Sequence, residues 1–377
     1  MCVDTSVILK QETIMALLEK SLLEARLKTF IDPHSETDLI TAKAVKSLEI
    51  VDKNVHLNLV LGYPAASYLE ELKNAVQQHL QQLPEVGEVT VEVTVNIVSH
   101  AVQQNLKPQA GIKNIIAVAS GKGGVGKSTT AINLALALSA EGARVGILDA
   151  DIYGPSIPMM LGLSGLPETE NGKVMLPKIG HGIQSISIGY LINQDEPMIW
   201  RGPMVTGALQ QLLRDTRWDA LDYLIIDLPP GTGDIQLTLA QQIPVSGAVI
   251  VTTPQDIALL DAQRGLGMFQ KVNVPVLGVI ENMSVHICSH CGHEEAIFGA
   301  GGGATMAEKN QLPLLGALPL DSAIRQNADS GNPTVIAQPE SRAAQIYGLI
   351  ARKMAARLAL KGKDFSSRFP NIVIENN

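Results

Sequence analysis

Aromatic residues are scarce, only 3% of the chain as five Phe, six Tyr and two Trp, which leaves few flat surfaces for stacking unpaired bases. Cysteine is scarcer still. Three in 377 residues, one at position 2 and a close pair at 288 and 291, cannot build a disulfide framework and fit a reducing compartment. Positive charge is not in excess: 29 Lys and Arg against 37 Asp and Glu leave a formal charge of −8. That balance argues against a broad nucleic-acid surface or a polybasic membrane patch. No apolar stretch reaches the roughly 18 residues that would span a bilayer, and no basic start followed by an apolar run marks a secretory signal. The expectation is a cytoplasmic protein with neither nucleic acid nor membrane among its partners. Apolar residues are plentiful at 46%, enough for a sizeable core in a chain whose length suggests two or three domains.

Two styles of patterning divide the chain. Residues 11–30 carry a helical pattern (Ile14, Leu17, Leu18, Leu22, Leu23), followed by an Asp32-Pro33 turn and two alternating runs near 44–51 and 54–61. A helix is expected at about 65–82, and then Val89, Val91, Val93, Val95 and Ile97 alternate with polar residues as in a half-buried strand. This predicts a small α/β (α+β) domain over 1–99. Residues 100–112 lose the periodicity, include Pro108 and Gly111, and read as a linker. From 113 to 377 short continuous apolar runs alternate with helical stretches, the pattern of an α/β fold with a doubly wound, mostly parallel sheet covered on both faces. Strands are expected at Ile115–Ala119, Val145–Asp149, Tyr223–Asp227, Ala248–Thr252, Val276–Ile280 and Leu314–Leu318. Helices are expected after 128 and at 203–216, 235–243, 256–270, 304–310 and 339–361.

Between the first of these strands and its helix lies Gly121-Lys122-Gly123-Gly124-Val125-Gly126-Lys127-Ser128. This is a P-loop: glycines let backbone N–H groups converge on phosphates, Lys127 reaches the β and γ oxygens, and the Ser128 hydroxyl binds Mg²⁺. Thr129 carries the chain into a helix whose positive N-terminal end adds to the attraction. The loop therefore predicts ATP and Mg²⁺ as ligands. Its second residue, Lys122, resembles the extra lysine of the deviant Walker A loop in the MinD/ParA/nitrogenase-iron-protein group. There the lysine reaches across a dimer to the partner's nucleotide, and the resemblance implies a homodimer here, with Lys122 adding positive charge at the reacting phosphate.

Carboxylates follow at two strand ends. Asp149 and Asp151 sit where open α/β sheets bind their ligands, and Asp151 resembles the group's water-positioning residue. Tyr223–Asp227 runs into Leu-Pro-Pro-Gly-Thr-Gly-Asp, which makes Asp227 a Walker B-like magnesium ligand and Gly231 a backbone donor for the γ-phosphate. An aspartate at a strand end can also be a simple turn former.

Residues 286–293 read His-Ile-Cys-Ser-His-Cys-Gly-His. The thiolates of Cys288 and Cys291 at this spacing can ligate one soft metal centre, but two thiolates are half a site. Structural zinc would draw on His286, His290 or His293, and a redox dithiol is a third reading. A face-to-face dimer favours another solution, because a two-fold axis would oppose two cysteine pairs as the four thiolates of a [4Fe–4S] cluster.

With these motifs the chain resembles the Mrp/ApbC family of iron–sulfur cluster carrier ATPases. The resemblance covers residues 112–340 through Gly121–Thr129, Leu148–Pro158, Trp200-Arg201-Gly202-Pro203, Asp227–Asp234, Thr253–Asp256 and Glu281–Ser284 leading into Cys288 and Cys291. It implies slow ATP hydrolysis, a homodimer, and a labile cluster held by both cysteine pairs and passed from a cluster donor or scaffold to apo-proteins. It also implies an adenine contact for Asn282. The first 100 residues resemble the small domain that precedes the ATPase in many members. Some such domains carry a cysteine after the second strand, where this chain has Gly62-Tyr63-Pro64-Ala65-Ala66, so this one is expected to bind a client or scaffold rather than metal. Cys2 reads as incidental, and Met159, Met160, Met198 and Met204 as packing residues. A MinD/ParA-like spatial organiser would want a basic amphipathic C-terminal helix, which Lys361–Asn377 does not supply.

Overall fold

The computed structural model describes residues 19–104, 106–192, 202–288 and 290–363. Cys2, the helical pattern over 11–18, Met198, Trp200, Arg201 and the tail beyond 363 lie outside the described residues. The chain divides into two compact units, one holding the segment that ends at Leu61 together with Ser67–Val95, the other Gly62–Ala66 and everything from Asn96 on.

The smaller unit has helix α1 (Lys20–Lys28), strands β1 (Val45–Val51) and β2 (Asn54–Leu61), helix α2 (Leu69–Gln81) and strand β3 (Val89–Val95). The order is β1-β2-β3, antiparallel in the first pair and parallel in the second. The helix α2 forms because Leu72, Val76 and Leu80 recur every fourth residue, and all three are buried. Val55, Leu57, Leu59 and Leu61 alternate inward on β2 to meet that core.

The larger unit begins with β4 (Ile112–Ala119), α3 (Lys127–Ala140), β5 (Val145–Asp149), β6 (Lys178–Gly180), β7 (Ile183–Ser187) and α4 (Gly202–Arg214). It continues through β8 (Leu221–Asp227), α5 (Asp234–Gln242), β9 (Gly247–Thr252), α6 (Asp256–Lys271) and β10 (Val276–Glu281). A two-residue hairpin pair, β11 (His286–Ile287) and β12 (Glu294–Glu295), precedes α7 (Gly302–Lys309), β13 (Leu314–Ala317), α8 (Ser322–Asp329) and α9 (Arg342–Ala359). Eight strands pair in the order β6-β7-β5-β8-β4-β9-β10-β13, all parallel except the β6–β7 edge. Every residue of β5, β8 and β9 is buried, which explains why these strands read as unbroken apolar runs rather than alternating ones. Each Leu or Ile removed from water there, such as Leu224, Ile225 or Ile250, contributes about 1.5–3 kcal/mol.

The pattern of the sequence did not reveal β6 and β7, which are short and carry only Ile183 and Ile186 as fully buried apolar anchors. Nor did it reveal α8, a helix started by the Asp321 side chain accepting from the Ala323 N–H. The joining segment 100–112 is anchored on the larger unit. His100 is buried and its backbone N–H donates to Asn114 Oδ1, while the Gln103 amide donates to the carbonyls of Ala240 and Ile243 and accepts from the Val245 N–H. Polar side chains do this work, so no apolar periodicity announces it.

Because β8 is inserted between β4 and β5, and β9 lies on the other side of β4, the direction of winding reverses at β4. Ligands of open α/β sheets bind at such a point, beyond the carboxyl ends of the strands. The loops that follow β4, β5, β8 and β10 all meet there.

Candidate functional site

The loop after β4 is shaped by its glycines. A Cβ on Gly121 would run into the backbone of Asp261 and Ala262 on α6, so only glycine lets the loop start this close to that helix. Gly126 holds φ +81° at the mouth of α3, and a Cβ there would strike the Asn282 amide. Lys127 through Thr130 then form the first helical turn, which contains no acidic residue, so its free N–H groups and dipole favour an anion. Val125 and Lys127 are buried, Gly121, Gly126, Ser128 and Thr129 are half-buried, and Gly123 and Gly124 are exposed.

Lys127 lies between two carboxylates and a hydroxyl. Its Nζ is 2.6 Å from Asp227 Oδ1, 3.9 Å from Asp151 Oδ2 and 3.1 Å from Ser128 Oγ. Asp227 and Asp149 face each other in register at the ends of adjacent strands, and both are fully buried. Burial and the Asp227 charge push the Asp149 carboxyl up to about 7, against the hydrogen bonds it receives. Those bonds come from Ser187 Oγ at 3.0 Å, Ile157 N–H at 3.2 Å and Asp151 N–H at 3.1 Å, so Asp149 ties down both ends of the loop that carries Asp151. Asp151 is raised as well, by burial first, with Lys127 opposing and Asp227 adding to the shift. The second carboxylate oxygen of Asp227, Oδ2, is buried without a hydrogen-bond partner. This oxygen and the Ser128 hydroxyl, whose residues both contact the Lys127 ammonium, are the hard donors that Mg²⁺ prefers, so these two residues fit the ion.

The switch loop after β8 is held at both ends. Gly231 has φ +106° and its N–H donates to the Ser120 carbonyl at 3.0 Å. To meet a γ-phosphate that N–H must exchange one acceptor for the other. Gln236, buried on the first turn of α5, donates its amide back to the carbonyls of Pro229 and Pro230. Lys122 is half-buried and forms no ion pair among the described residues. Asn282 follows β10 directly, and its Nδ2 donates to the Val125 carbonyl of the P-loop at 2.8 Å.

Two further residues thus matter that the sequence reading missed, Gln236 and Ser187, together with the bracing role of Asp149. Glutamine nine positions after a strand-end aspartate carries no signal, and Ser187 belongs to a strand that was not recognised.

The cysteine pair sits at the tip of the β11–β12 hairpin, where His286 pairs with Glu295 and Ile287 with Glu294. Cys288 is half-buried and Cys291 exposed. The Cys288 N–H donates to the His293 carbonyl at 2.9 Å and the Gly292 N–H to the Cys288 carbonyl at 2.8 Å, which closes a tight loop. Backbone N–H groups of Cys291 and His290, then the Cys291 side chain, favour the Cys288 thiolate and draw its pKa down. His286 Nδ1 lies 3.2 Å from the Leu320 carbonyl, so that ring is engaged with the protein. Among the described residues no three His, Cys, Asp or Glu side chains converge as metal ligands. A four-ligand zinc site is therefore not assembled within these residues of one chain.

Comparison with known proteins places this geometry. Residues 111–355 match the family model described as NUBPL iron-transfer P-loop NTPase, and residues 20–93 match one described as iron–sulfur cluster assembly protein. The iron–sulfur cluster carrier protein of Escherichia coli K12 is 51% identical over 345 residues, 91% of this chain and 94% of that protein. The iron–sulfur cluster transfer protein NUBPL of mouse is 53% identical over 254 residues, 67% of this chain and 80% of that one. Among solved structures, a nucleotide-binding protein of Archaeoglobus fulgidus in complex with ADP superposes with a TM-score of 0.52 at 37% identity, covering 61% of this chain and 90% of that one. No helix among the described residues is long and apolar enough to cross a membrane. A P-loop at the winding reversal, a strand-end aspartate opposite its lysine and a paired-cysteine hairpin beside them accord with these matches: the chain belongs to the NUBPL iron-transfer P-loop NTPase family.

Proposed function

We propose that this protein is an ATP-hydrolysing carrier that binds a [4Fe–4S] cluster between two copies of the chain and hands it to apo-proteins in the cytoplasm. The observation that carries the reading is the half-site: two sulfurs at an exposed hairpin tip, one thiol already biased toward thiolate, with no third ligand brought near by the described residues. Two such tips supply the four thiolates that a cubane cluster takes. Tyr153 and Ile297 in loops, and Ile257 and Leu260 on the first turns of α6, are exposed apolar surface of the kind a subunit interface covers.

At the nucleotide site, backbone N–H groups from Gly121 to Gly126 and the first turn at Lys127–Thr129 receive the phosphates. Lys127 exchanges Asp227 for the β and γ oxygens, and Lys122 of each copy reaches toward the other copy's γ-phosphate. Ser128 and Asp227 would hold Mg²⁺, which would supply positive charge to offset that of the phosphates. Asp151, held by Asp149, orients the attacking water, and the Gly231 N–H leaves Ser120 for the γ-phosphate. With its Nδ2 spent on Val125, Asn282 presents its carbonyl oxygen to the adenine amino group. Clients and a cluster donor or scaffold would dock on the smaller unit, which matches the assembly-protein model.

The test is anaerobic reconstitution with iron and sulfide. Wild type is expected to take up four irons per dimer with the charge-transfer absorbance of a cluster, and Cys288→Ser and Cys291→Ser to take up none. A full cluster in the double variant would sink the carrier function, and stoichiometric zinc in place of iron would replace it with a structural clasp.

A further inference from the structure

A carrier that uses ATP needs its nucleotide site to act on its cysteines, and the described residues offer one bonded route between them. The switch loop Pro229–Gly233 makes no hydrogen bond to residues 282–293 among those described. Asn282 does connect the two. It is 7% exposed, its backbone N–H is fixed on the Thr252 carbonyl at 2.7 Å, and its side chain grips the carbonyl of Val125 inside the phosphate loop. Val125 is itself 2% exposed, flanked by Gly124 and Gly126 at positive φ, so this carbonyl belongs to the part of the loop whose N–H groups would close on phosphate.

From Asn282 to Cys288 the chain is laced to one neighbouring segment. The Leu318 N–H donates to the Glu281 carbonyl at 2.8 Å, the Ser284 N–H and hydroxyl both donate to the Leu318 carbonyl at 2.9 Å, and the Leu320 N–H donates to the Val285 carbonyl at 2.8 Å. His286 then bridges to Leu320 and enters the hairpin. A segment bonded at nearly every second residue moves as a rod, so a shift at its Asn282 end reappears at Cys288.

We propose that Asn282 is a positioning residue for the cluster site: through its amide bond to the Val125 carbonyl it transmits the state of the phosphate loop along residues 282–287 to Cys288, and so sets how firmly the cluster is held. This rests on the carrier function above and extends Asn282 beyond its adenine contact. Coupling of this kind is reciprocal, so a bound cluster must change nucleotide affinity by the same factor by which nucleotide changes cluster affinity.

The experiment measures the dissociation constant of a non-hydrolysable ATP analogue with Mg²⁺ on cluster-loaded and cluster-free protein without oxygen, and takes the ratio. Wild type is expected to give a ratio that departs from unity by roughly 5-fold or more. In Asn282→Asp, nearly the same shape but without the donor, the ratio is expected to fall to within about 2-fold of unity. Loss of the adenine contact alone would shift both constants together and leave the ratio where it was, which would overturn the proposal. Gln236→Leu, which frees the switch loop from α5, is expected to keep the wild-type ratio. Should Asn282→Asp bind the analogue too weakly to measure, Ser284→Ala, on the rod and clear of the nucleotide, must reduce the ratio, and an unchanged ratio there would also overturn it. If wild type takes up a cluster but gives a ratio of 1, the carrier stands and the link falls; if it takes up no cluster, both fall.

Discussion

The phosphate loop and the cysteine hairpin follow strands of the same sheet, yet they are built in opposite ways. Around Lys127 every group is over-determined: the carboxylates of Asp227 and Asp151, the Ser128 hydroxyl and a helix N-terminus meet within one chain, and Asp149 braces Asp151 from behind. At Cys288 and Cys291 the described residues bring up only backbone N–H groups and the other cysteine, with Cys288 half-buried and Cys291 exposed. Under the function proposed above, the difference follows from what each would have to do. A site that must do chemistry on phosphate needs its charges held in place beforehand. A site that must give up its cargo is better left half-made, so that the other half and the release are supplied from outside the chain.

Substitutions on the two sides should therefore differ in kind. Lys127→Ala removes the only ammonium paired with Asp227 and Asp151 among the described residues, and is expected to lower the unfolding free energy of nucleotide-free protein by about 3–5 kcal/mol. Cys291→Ser, exposed and outside the core, should change it by less than about 0.5 kcal/mol. Urea titration of the pair of variants checks this, and equal losses would erase the contrast. Gln236→Leu should cost about 1–3 kcal/mol by leaving the Pro229 and Pro230 carbonyls without their donor, and should slow ATP hydrolysis while cluster uptake is unchanged. Parallel phosphate-release and iron-uptake assays would expose any effect on both. The smallest effect lies away from both sites. Burial holds His100 below its ordinary value of 6.5, so the unfolded chain binds that proton first and stability falls as pH drops through and below 6.5. His100→Gln should flatten the dependence of melting temperature on pH between about 5 and 7 without touching either ligand.

Much of the larger unit was legible because buried parallel strands leave unbroken apolar runs, and β4, β5, β8, β9, β10 and β13 all lie within a few residues of where those runs stand. The P-loop, Asp227 and the cysteine pair were legible because their chemistry needs fixed spacing. The edge strands β6 and β7 were not, since an edge needs few apolar residues, and without β7 there was no reason to look at Ser187. Asn282 shows the limit most clearly. Its residue type suggested a hydrogen bond, but that one of its bonds goes to Val125 depends on β10 pairing with β9 and β9 with β4, which no local pattern encodes.

The register of β5 and β8 carries a last consequence. Asp149 and Asp227 are opposite one another because Leu148 pairs with Ile226 and Ile147 with Ile225, one residue for one residue along both strands. A slip of a single position would turn Asp227 to the other face of the sheet and bring a leucine or isoleucine to the magnesium position. Any ligand that requires Asp227 beside Lys127 is therefore a reader of strand alignment: it binds the correctly paired sheet and rejects the slipped ones.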